Sequence, residues 1–320
     1  MFTKEEMLES YKTVSFCRQY ERVYEEGALS GAIPGFSHLA LAEEATFSAE
    51  YLERGPEDWL LPNSVRDLSL NCLIFGIDNW TAEGFGRMTG PNKGMAGAGH
   101  LCSPEHHYGP CMAILGAEAG IATGIALAMK LDKKNSAVIY ALGDGTLNEG
   151  LVSESLNMVA TKKLPVVFVV RNNQFAMSMA VNEGMAVTPA QRMAGFGIPT
   201  ITVDGEDVLA VRQAMRDSLA KAKQGQPCCV EVVTVRWTGH FVGDPQGYRD
   251  PEDKKNARNF DPLKKYREYL VSNNIFTEEE LLAIDKENKE KSQKALADVL
   301  NEPVKTMEFI REENAKNLYA

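Results

Sequence analysis

The sequence lacks an excess of basic residues, and this limits the partners that it can have. Its 320 residues include 34 lysines and arginines against 44 aspartates and glutamates, which gives a formal net charge of −10. Proteins that bind nucleic acids need a basic surface to contact phosphates, so DNA and RNA are not expected partners. The sequence also lacks an apolar run long enough to cross a membrane, so we expect a soluble protein with no membrane partner.

Cysteine is scarce for a chain of this length. The six cysteines have no paired ligand spacing and lack the density of a disulfide framework, so we expect reduced thiols. The N-terminus lacks an apolar signal segment, and Thr3 and Glu6 instead have the spacing of a capping box at the start of a helix. These absences lead us to expect a cytoplasmic protein.

What the sequence does contain is a βαβ pattern in its middle. Residues 137–142 and 164–170 are short, apolar and rich in β-branched side chains, as strands buried on both faces of a parallel sheet are. Residues 149–162 between them have the length and composition of a helix. The same alternation continues with a strand predicted at 199–203, a helix at 208–223 and a strand at 228–236.

These elements predict an α/β fold with a doubly wound, mostly parallel sheet flanked by helices. Residues 1–55 are expected to form a helical N-terminal arm, and residues 261–320 a helical C-terminal extension. Within that extension, Thr277 and Glu280 have the spacing of a second capping box. Doubly wound folds reach this length as one unit, so we expect residues 1–320 to form a single domain.

Two segments have the composition of loops. Residues 84–99 are rich in glycine, which predicts a flexible loop. Residues 239–255 contain glycine, aspartate and proline without apolar periodicity, which also predicts a loop.

A predicted helix at residues 116–128 has a face of very small side chains. Gly116, Gly120, Gly124 and Ala128 recur every four residues. Each glycine costs about 1 kcal/mol in a helix relative to alanine, so such a row indicates that another helix packs unusually close. That helix could belong to the same subunit or to a partner.

Polar side chains follow both strands of the βαβ pattern, at the point where each strand ends. Gly143-Asp144-Gly145 follows the first strand and Asn172-Asn173 follows the second. Ligands bind at the carboxyl ends of parallel strands, and a carboxylate with an amide suits a hard cation that also binds phosphate oxygens. Glycines let the backbone approach phosphates closely, and a helix N-terminus follows them. The two motifs together predict a metal–diphosphate site.

These motifs resemble the thiamin diphosphate motif, and four sequence blocks narrow the resemblance further. The chain is similar to the alpha subunits of the decarboxylating component of 2-oxo acid dehydrogenase complexes, a group that includes pyruvate, branched-chain 2-oxo acid and acetoin dehydrogenases. The blocks are residues 35–39 with 43–45, residues 143–150, residues 164–178, and residues 236–240 with 244–245 and 248–249.

The resemblance implies two cofactors, thiamin diphosphate and Mg²⁺, and a role for individual residues in binding them. Asp144, the Asn173 side chain and the Phe175 carbonyl would bind magnesium. Two further sets of residues would contact the cofactor. The diphosphate would be bound by Gly143, Gly145, Thr146, Arg66 and Arg171, and the aminopyrimidine ring would contact the backbone of Ala113 and Leu115.

Histidines supply the expected catalytic groups. By resemblance, His240 lies near the thiazolium and diphosphate and assists acyl transfer, and His38 lies beside the substrate; His100 also matches a family position. An imidazole that titrates near neutral pH suits proton transfer at a carbinol or carbonyl oxygen.

Several positions depart from the family pattern, among them Val65, which stands where the family usually has a tyrosine. Leu68 stands where the family usually has a histidine, and Phe241 stands where it commonly has a serine that is phosphorylated in mitochondrial enzymes. Regulation by phosphorylation at that position is therefore excluded. Leu68 and Phe241 would both make a substrate pocket more apolar.

The resemblance implies an oxidoreductase subunit that decarboxylates a small 2-oxo acid, or cleaves acetoin, and transfers the acyl group to lipoamide. It also implies an α2β2 heterotetramer with a beta subunit and an interaction with a lipoyl acyltransferase. The missing histidine leaves open an acyloin-forming carboligase that uses no lipoamide. A non-catalytic assembly paralogue is disfavoured because Asp144, Asn173, Arg66 and His240 are retained.

Overall fold

A computed structural model describes residues 2–33, 35–97 and 99–318. Its strands are β1 (Trp59–Leu61), β2 (Val138–Gly143), β3 (Val166–Asn172), β4 (Phe175–Ala176), β5 (Met179–Ala180), β6 (Thr200–Asp204) and β7 (Cys228–Val233). Its α-helices are α1 (Lys4–Leu29), α2 (Glu44–Leu52), α3 (Leu68–Phe75), α4 (Ile77–Gly84), α5 (Ala117–Leu131), α6 (Gly150–Lys162), α7 (Val181–Gly184), α8 (Pro189–Gly195), α9 (Val208–Lys223), α10 (Pro251–Asn256), α11 (Pro262–Ser272), α12 (Glu278–Val299) and α13 (Met307–Leu318).

The main sheet has five strands in the order β1-β2-β3-β7-β6, and every neighbouring pair is parallel. Strands β2 and β3 pair in register from Val138 opposite Val166, and α6 connects them. Strands β4 and β5 form a separate antiparallel ribbon just after β3. The predicted α/β class, with its parallel sheet and flanking helices, is confirmed.

Helices cover both faces of this sheet, and the alternation of side chains along β3 separates two cores. Val167 and Val169 belong to a core that includes residues of α2 and α9, whereas Phe168 and Val170 belong to a core with α5 and α6. Because successive residues of a strand point to opposite faces, the position of a residue along β3 decides which core it enters. Among the described residues, no helix combines the length and apolarity that crossing a bilayer requires.

Helix α2 presents buried carboxylates to three different arginines. Glu43, at its N-cap, binds Arg66; Glu44 binds Arg18; and Glu50 binds Arg171. Arg18 also binds Asp261 at 3.0 Å, beside the start of α11, and its guanidinium lies 4.3 Å from the ring centroid of Trp237. One helix therefore connects the N-terminal arm, the C-terminal segment and the central sheet.

The two ends of the chain contact each other. Helix α1 packs along α12, where Tyr11 and Ser15 both donate hydrogen bonds to Asp285, at 3.1 and 2.6 Å. Both capping boxes predicted from the sequence are present, at the starts of α1 and α12. The N-terminal arm and the C-terminal extension thus form one helical layer.

The glycine-rich segment differs from the flexible loop predicted for it. The fully buried carboxylate of Glu83 accepts four backbone N–H bonds of 2.8–3.1 Å, from Asn92, Gly94, Ala96 and Gly97. A carboxylate that accepts several backbone donors fixes their positions. Glycine composition predicted the turns but not the acidic residue around which they are built.

Short elements account for the other differences. Strand β1 lies at the edge of the sheet and has only three residues, too few for a periodic signal. Helix α10 occupies part of the predicted loop 239–255, where the Asp250 side chain caps it and Pro251 begins it. Six residues are likewise too short to show helical periodicity.

Candidate active site

A cavity of about 290 Å³ opens at the carboxyl ends of β2 and β3. Gly143, Asp144 and Gly145 line it at the end of β2, and Asn173 and Phe175 line it after β3. The parallel arrangement of the two strands brings together motifs that are separated by α6 in the sequence. The wall is completed by Thr146, Leu115, Arg66, Arg236, His240, Asn63, Asn148, Glu149, Ala176, Met177, Met179, Ala180, Val181, Gly184 and Met185.

Asp144 is a buried carboxylate that forms no ion pair with any described residue. Its side chain is 3% exposed, and Oδ2 has no hydrogen-bond partner among the described residues. Burial raises the pKa of Asp144 to about 6, and the nearby charge of Glu43 acts in the same direction. A buried charge is costly unless it is paired or coordinates a metal. This carboxylate is therefore suited to binding a cation that enters the cavity.

Gly145 is required by close packing of the backbone. A Cβ atom at this position would lie 2.5 Å from the Cβ of Ala176 on the β4–β5 ribbon. Any larger residue would push the ribbon away from the end of β2. The short helical turn at residues 145–148 therefore keeps its backbone at the floor of the cavity.

Asn173 is held by hydrogen bonds on both ends of its amide. Nδ2 donates to Oε1 of Glu43 at 2.9 Å, and Oδ1 accepts from the backbone N–H of Phe175 at 3.3 Å. The amide oxygen thus lies on the side of the Phe175 backbone N–H. Asp144, Asn173 and Phe175, the three predicted metal ligands, all line the same cavity.

Two arginines give the cavity a positive wall. Arg66 donates to Glu43 at 3.2 Å, while Arg236 donates to the Met177 carbonyl at 2.8 Å and to the Tyr248 hydroxyl at 2.7 Å. Burial lowers the pKa of Arg236 to about 10, and the positive charge of Arg66 contributes. The Nε atoms of both arginines are buried and without a partner in the described parts of the chain. An anion in the cavity would satisfy both guanidinium groups.

These groups fit a diphosphate with a bound metal ion. Within residues 2–33, 35–97 and 99–318, no three His, Cys, Asp or Glu side chains cluster so as to hold a metal. A metal here would therefore depend on one carboxylate, amide and carbonyl oxygens, and phosphate oxygens, which is a set that suits Mg²⁺. The unpartnered Oδ2 of Asp144 and the two unpartnered arginine Nε atoms supply the complementary charges.

Two histidines contact each other beside the cavity: His240 lines it, whereas His38 does not line it and packs against His240. The rings of His38 and His240 lie 4.7 Å apart, and Nδ1 of His38 donates to the His240 carbonyl at 2.7 Å. A carbonyl can only accept, so Nδ1 of His38 carries the proton and Nε2 is left as an acceptor. The backbone N–H of His240 donates to the Asp244 side chain at 2.7 Å, which fixes the start of the following loop.

The charge of His240 depends on what occupies the cavity. Burial, together with the neighbouring His38 ring and the positive charges of Arg66 and Arg236, lowers the pKa of His240 to about 4, so the ring is neutral at pH 7. A bound anion would neutralise these arginines, and we expect the pKa of His240 to rise by about one pH unit or more. NMR titration of histidine-labelled protein with and without diphosphate measures this change. His100, which is exposed and does not line the cavity, is the internal control. A His240 titration curve that does not change when diphosphate is added would contradict the expectation.

Arg171 is not in this cavity, in contrast to the role that the sequence predicts for it. It continues the face of β3 that carries Val167 and Val169, and its fully buried guanidinium binds Glu50 and Asp67. The cause is the pair of buried carboxylates, Glu50 of α2 and Asp67, which hold the guanidinium on the face of β3 that α2 covers and away from the cavity.

Replacing Arg171 by methionine is expected to lower stability without a specific loss of diphosphate binding. The change leaves two buried carboxylates unpaired, which costs about 3–5 kcal/mol. Urea unfolding and calorimetric titration with thiamin diphosphate measure the two effects separately. Arg66→Met is the comparison variant: it also leaves a buried carboxylate, Glu43, unpaired, but we expect it to lower the affinity for thiamin diphosphate as well as the stability. Loss of affinity with unchanged stability in Arg171→Met would restore Arg171 to the site.

Other predicted residues lie around the cavity or away from it. Leu115 lines the cavity, whereas Ala113 is exposed beside it. Leu68 is buried in the core on α3, so it does not make the cavity more apolar. Phe241 packs edge-on against Phe36, at 5.4 Å between ring centroids.

Sequence reasoning missed three polar residues at the site. Arg236 and Asn63 line the cavity, and Glu43 holds Arg66 and Asn173. Arg236 and Glu43 both lie in blocks that carry the resemblance. Nothing in the sequence alone distinguishes them from their charged neighbours.

Comparisons with known proteins agree with this geometry. The model of the dehydrogenase E1 component family matches residues 13–308. The pyruvate dehydrogenase E1 component subunit alpha of Rhizobium meliloti is 34% identical over 293 residues, which cover 89% of this chain and 83% of that protein. The alpha subunit of acetoin:2,6-dichlorophenolindophenol oxidoreductase of Cupriavidus necator is 35% identical over 289 residues, with 89% and 86% covered. The chain therefore belongs to the dehydrogenase E1 component family, among the alpha subunits of the 2-oxo acid and acetoin dehydrogenases.

Proposed function

We propose that this chain is the diphosphate-binding subunit of a thiamin diphosphate- and Mg²⁺-dependent dehydrogenase. The enzyme decarboxylates a 2-oxo acid, or cleaves acetoin, and transfers the acyl group to lipoamide. The observation that carries the proposal is the pairing of a buried, unpartnered Asp144 carboxylate with two arginines that have unpartnered Nε atoms around one cavity. This charge arrangement suits a metal diphosphate better than either ion alone.

Residues of the cavity divide the binding between the two charges. Asp144, the amide oxygen of Asn173 and the carbonyl of Phe175 would hold Mg²⁺, while Arg66 and Arg236 would hold the diphosphate. The backbone of Gly145 and Thr146 would contact the phosphates from the floor. When bound, thiamin diphosphate supplies the carbanion chemistry that breaks the bond next to the substrate carbonyl.

The two histidines handle protons beside the cavity. Nε2 of His38 is an acceptor because Nδ1 donates to the His240 carbonyl. His240 is neutral when the cavity holds no anion and becomes easier to protonate when a diphosphate balances the arginines. The pair can therefore accept and return a proton at the substrate oxygen during acyl transfer.

The names of the relatives support a beta subunit as partner, since they describe alpha subunits. We propose an α2β2 heterotetramer, a lipoyl acyltransferase as a further partner, and a small-molecule donor and acceptor. The alternative of a carboligase rested on the missing histidine at position 68. Leu68 lies in the core and not in the cavity, so no feature of the cavity favours that alternative.

The test is an assay of the chain purified with its beta subunit. Pyruvate, branched 2-oxo acids and acetoin are offered as donors, with lipoamide, dichlorophenolindophenol or an aldehyde as acceptors. We expect reduction of lipoamide or dye that requires both thiamin diphosphate and Mg²⁺. Carbon–carbon coupling with the aldehyde and no reduction of either acceptor would instead support the carboligase.

A further inference from the structure

We propose that Glu43 is a positioning residue that decides which atom of Asn173 is presented to the metal. The inference rests on the proposed function and adds a residue to it. Glu43 is fully buried behind the cavity and does not line it. Its Oε1 atom accepts hydrogen bonds from Nδ2 of Asn173 at 2.9 Å and from Arg66 at 3.2 Å.

The hydrogen bond to Asn173 fixes the direction of the amide. A carboxylate accepts and does not donate, so only the NH₂ group of Asn173 can face Glu43. The amide oxygen then lies on the opposite side, where it accepts from the backbone N–H of Phe175, another residue that lines the cavity. A flipped amide would place its oxygen against the carboxylate and its NH₂ group toward the cation. Glu43 thereby excludes the orientation that cannot bind a metal.

The same oxygen also holds Arg66 at the cavity wall. One carboxylate thus connects a metal ligand with a diphosphate ligand, and the two ends of a metal–diphosphate pair are placed relative to each other. Partners behind the ligands of a metal site typically change its affinity about 10- to 100-fold when they are replaced. The neighbouring Glu44 differs, because it is equally buried but binds Arg18 and makes no contact with the cavity.

The test exchanges donor and acceptor across the Glu43–Asn173 contact. Mn²⁺ replaces Mg²⁺ as the probe, since it takes the same oxygen ligands and its free concentration can be measured by electron paramagnetic resonance. Titrations are made with thiamin diphosphate on the full chain bound to its beta subunit. The variants are Glu43→Gln, Asn173→Asp and the double variant, and Glu44→Gln is the matched control.

We expect each single variant to weaken Mn²⁺ binding about 10-fold or more. In Glu43→Gln the neutral amide no longer enforces one orientation, and in Asn173→Asp two carboxylates face each other. In the double variant the new amide donates to the new carboxylate, so affinity recovers to within a few-fold of wild type. A merely structural role predicts losses that add instead. Glu44→Gln should lower the free energy of unfolding and leave Mn²⁺ affinity unchanged.

Two results would overturn the assignment. One is wild-type Mn²⁺ affinity in Glu43→Gln, and the other is a double variant that binds no better than its weaker parent. Unfolding in urea is measured for all four variants, so that a loss of fold is separated from a loss of orientation. If the wild-type complex itself bound no Mn²⁺ with thiamin diphosphate, the proposed function would fail and the role of Glu43 with it, whereas wild-type affinity in Glu43→Gln would overturn the role of Glu43 alone.

Discussion

Replacing Asp144 by alanine is expected to abolish binding of thiamin diphosphate with Mg²⁺ while the chain stays folded. The carboxylate is the one ionised oxygen ligand in the proposed set. Residues behind the ligands of a metal site change its affinity up to about 100-fold, so we expect the loss of a direct ligand to lower the affinity by more than that. Its Oδ2 atom has no partner in the described structure, so few stabilising contacts are lost. Calorimetric titration measures the affinity, and urea unfolding measures the free energy of unfolding.

Asp58→Ala is the matched control for this variant. Asp58 is also buried, but it accepts backbone N–H bonds from Gly55 and Ala137 at 2.9 and 2.8 Å and binds Lys223 at 2.8 Å, away from the cavity. Its loss should cost about 1–3 kcal/mol of stability through unsatisfied donors and leave the affinity unchanged. Unchanged affinity in Asp144→Ala would remove this residue from the metal site.

The second large effect concerns the beta subunit, without which the chain is expected to be inactive. In this family the glutamate that activates the pyrimidine ring is expected from the beta subunit. A missing proton-transfer group costs about 10²- to 10⁴-fold in rate. Assays of the chain alone and after co-purification with its beta subunit, with masses measured for both, give the comparison. Full turnover by the chain alone would overturn the heterotetramer.

The surface beside the cavity supports such a partner. On α5, Gly120, Gly124 and Ala128 are exposed, while Gly116 packs against α6 in the same chain. Ile114, just before α5, is 74% exposed. Exposed apolar side chains next to bare backbone mark interaction surfaces. The row therefore packs within the chain at Gly116, whereas a subunit interface at Gly120, Gly124 and Ala128 stays a prediction.

Gly124→Leu tests this surface directly. A Cβ atom at Gly124 would have no neighbour within 4 Å in the described chain, so the subunit itself should tolerate the change. Assembly with the beta subunit should be lost, because a leucine prevents close approach of a second helix. Gly195→Leu, at an equally open position on α8, should leave assembly unchanged.

Local patterns were sufficient to predict four of the five strands of the main sheet and the centre of the candidate site. Strands buried on both faces are recognisable as apolar runs, and residues at their carboxyl ends must lie at one edge. Asp144 and Asn173 needed no further information, since the βαβ unit alone brings them together. The family prediction, which rests on these motifs, is confirmed.

Residues whose partners come from distant segments could not be predicted in this way. Arg171 directly precedes the Asn172-Asn173 motif in sequence, yet its side chain binds Glu50 and Asp67. Glu50 lies on α2, and Asp67 is the residue just before α3. Glu43 contacts the cavity residues Asn173 and Arg66 only because α2 packs against the sheet. Adjacency in sequence identifies neighbours along a strand, but the face that each occupies depends on tertiary packing.

The carboxylates of helix α2 and its N-cap bind Arg66, Arg18 and Arg171, which come from three different segments of the chain. We therefore expect these three arginines and the residues of α2 to evolve together. A substitution at any of the three arginines leaves a buried carboxylate on this helix without its partner. A second substitution, which replaces that carboxylate, is needed to restore stability. Related enzymes should therefore exchange residues of α2 together with their arginine partners, as sets. A design that changes cofactor binding by replacing Arg66 must therefore also replace Glu43, its partner at the N-cap of α2.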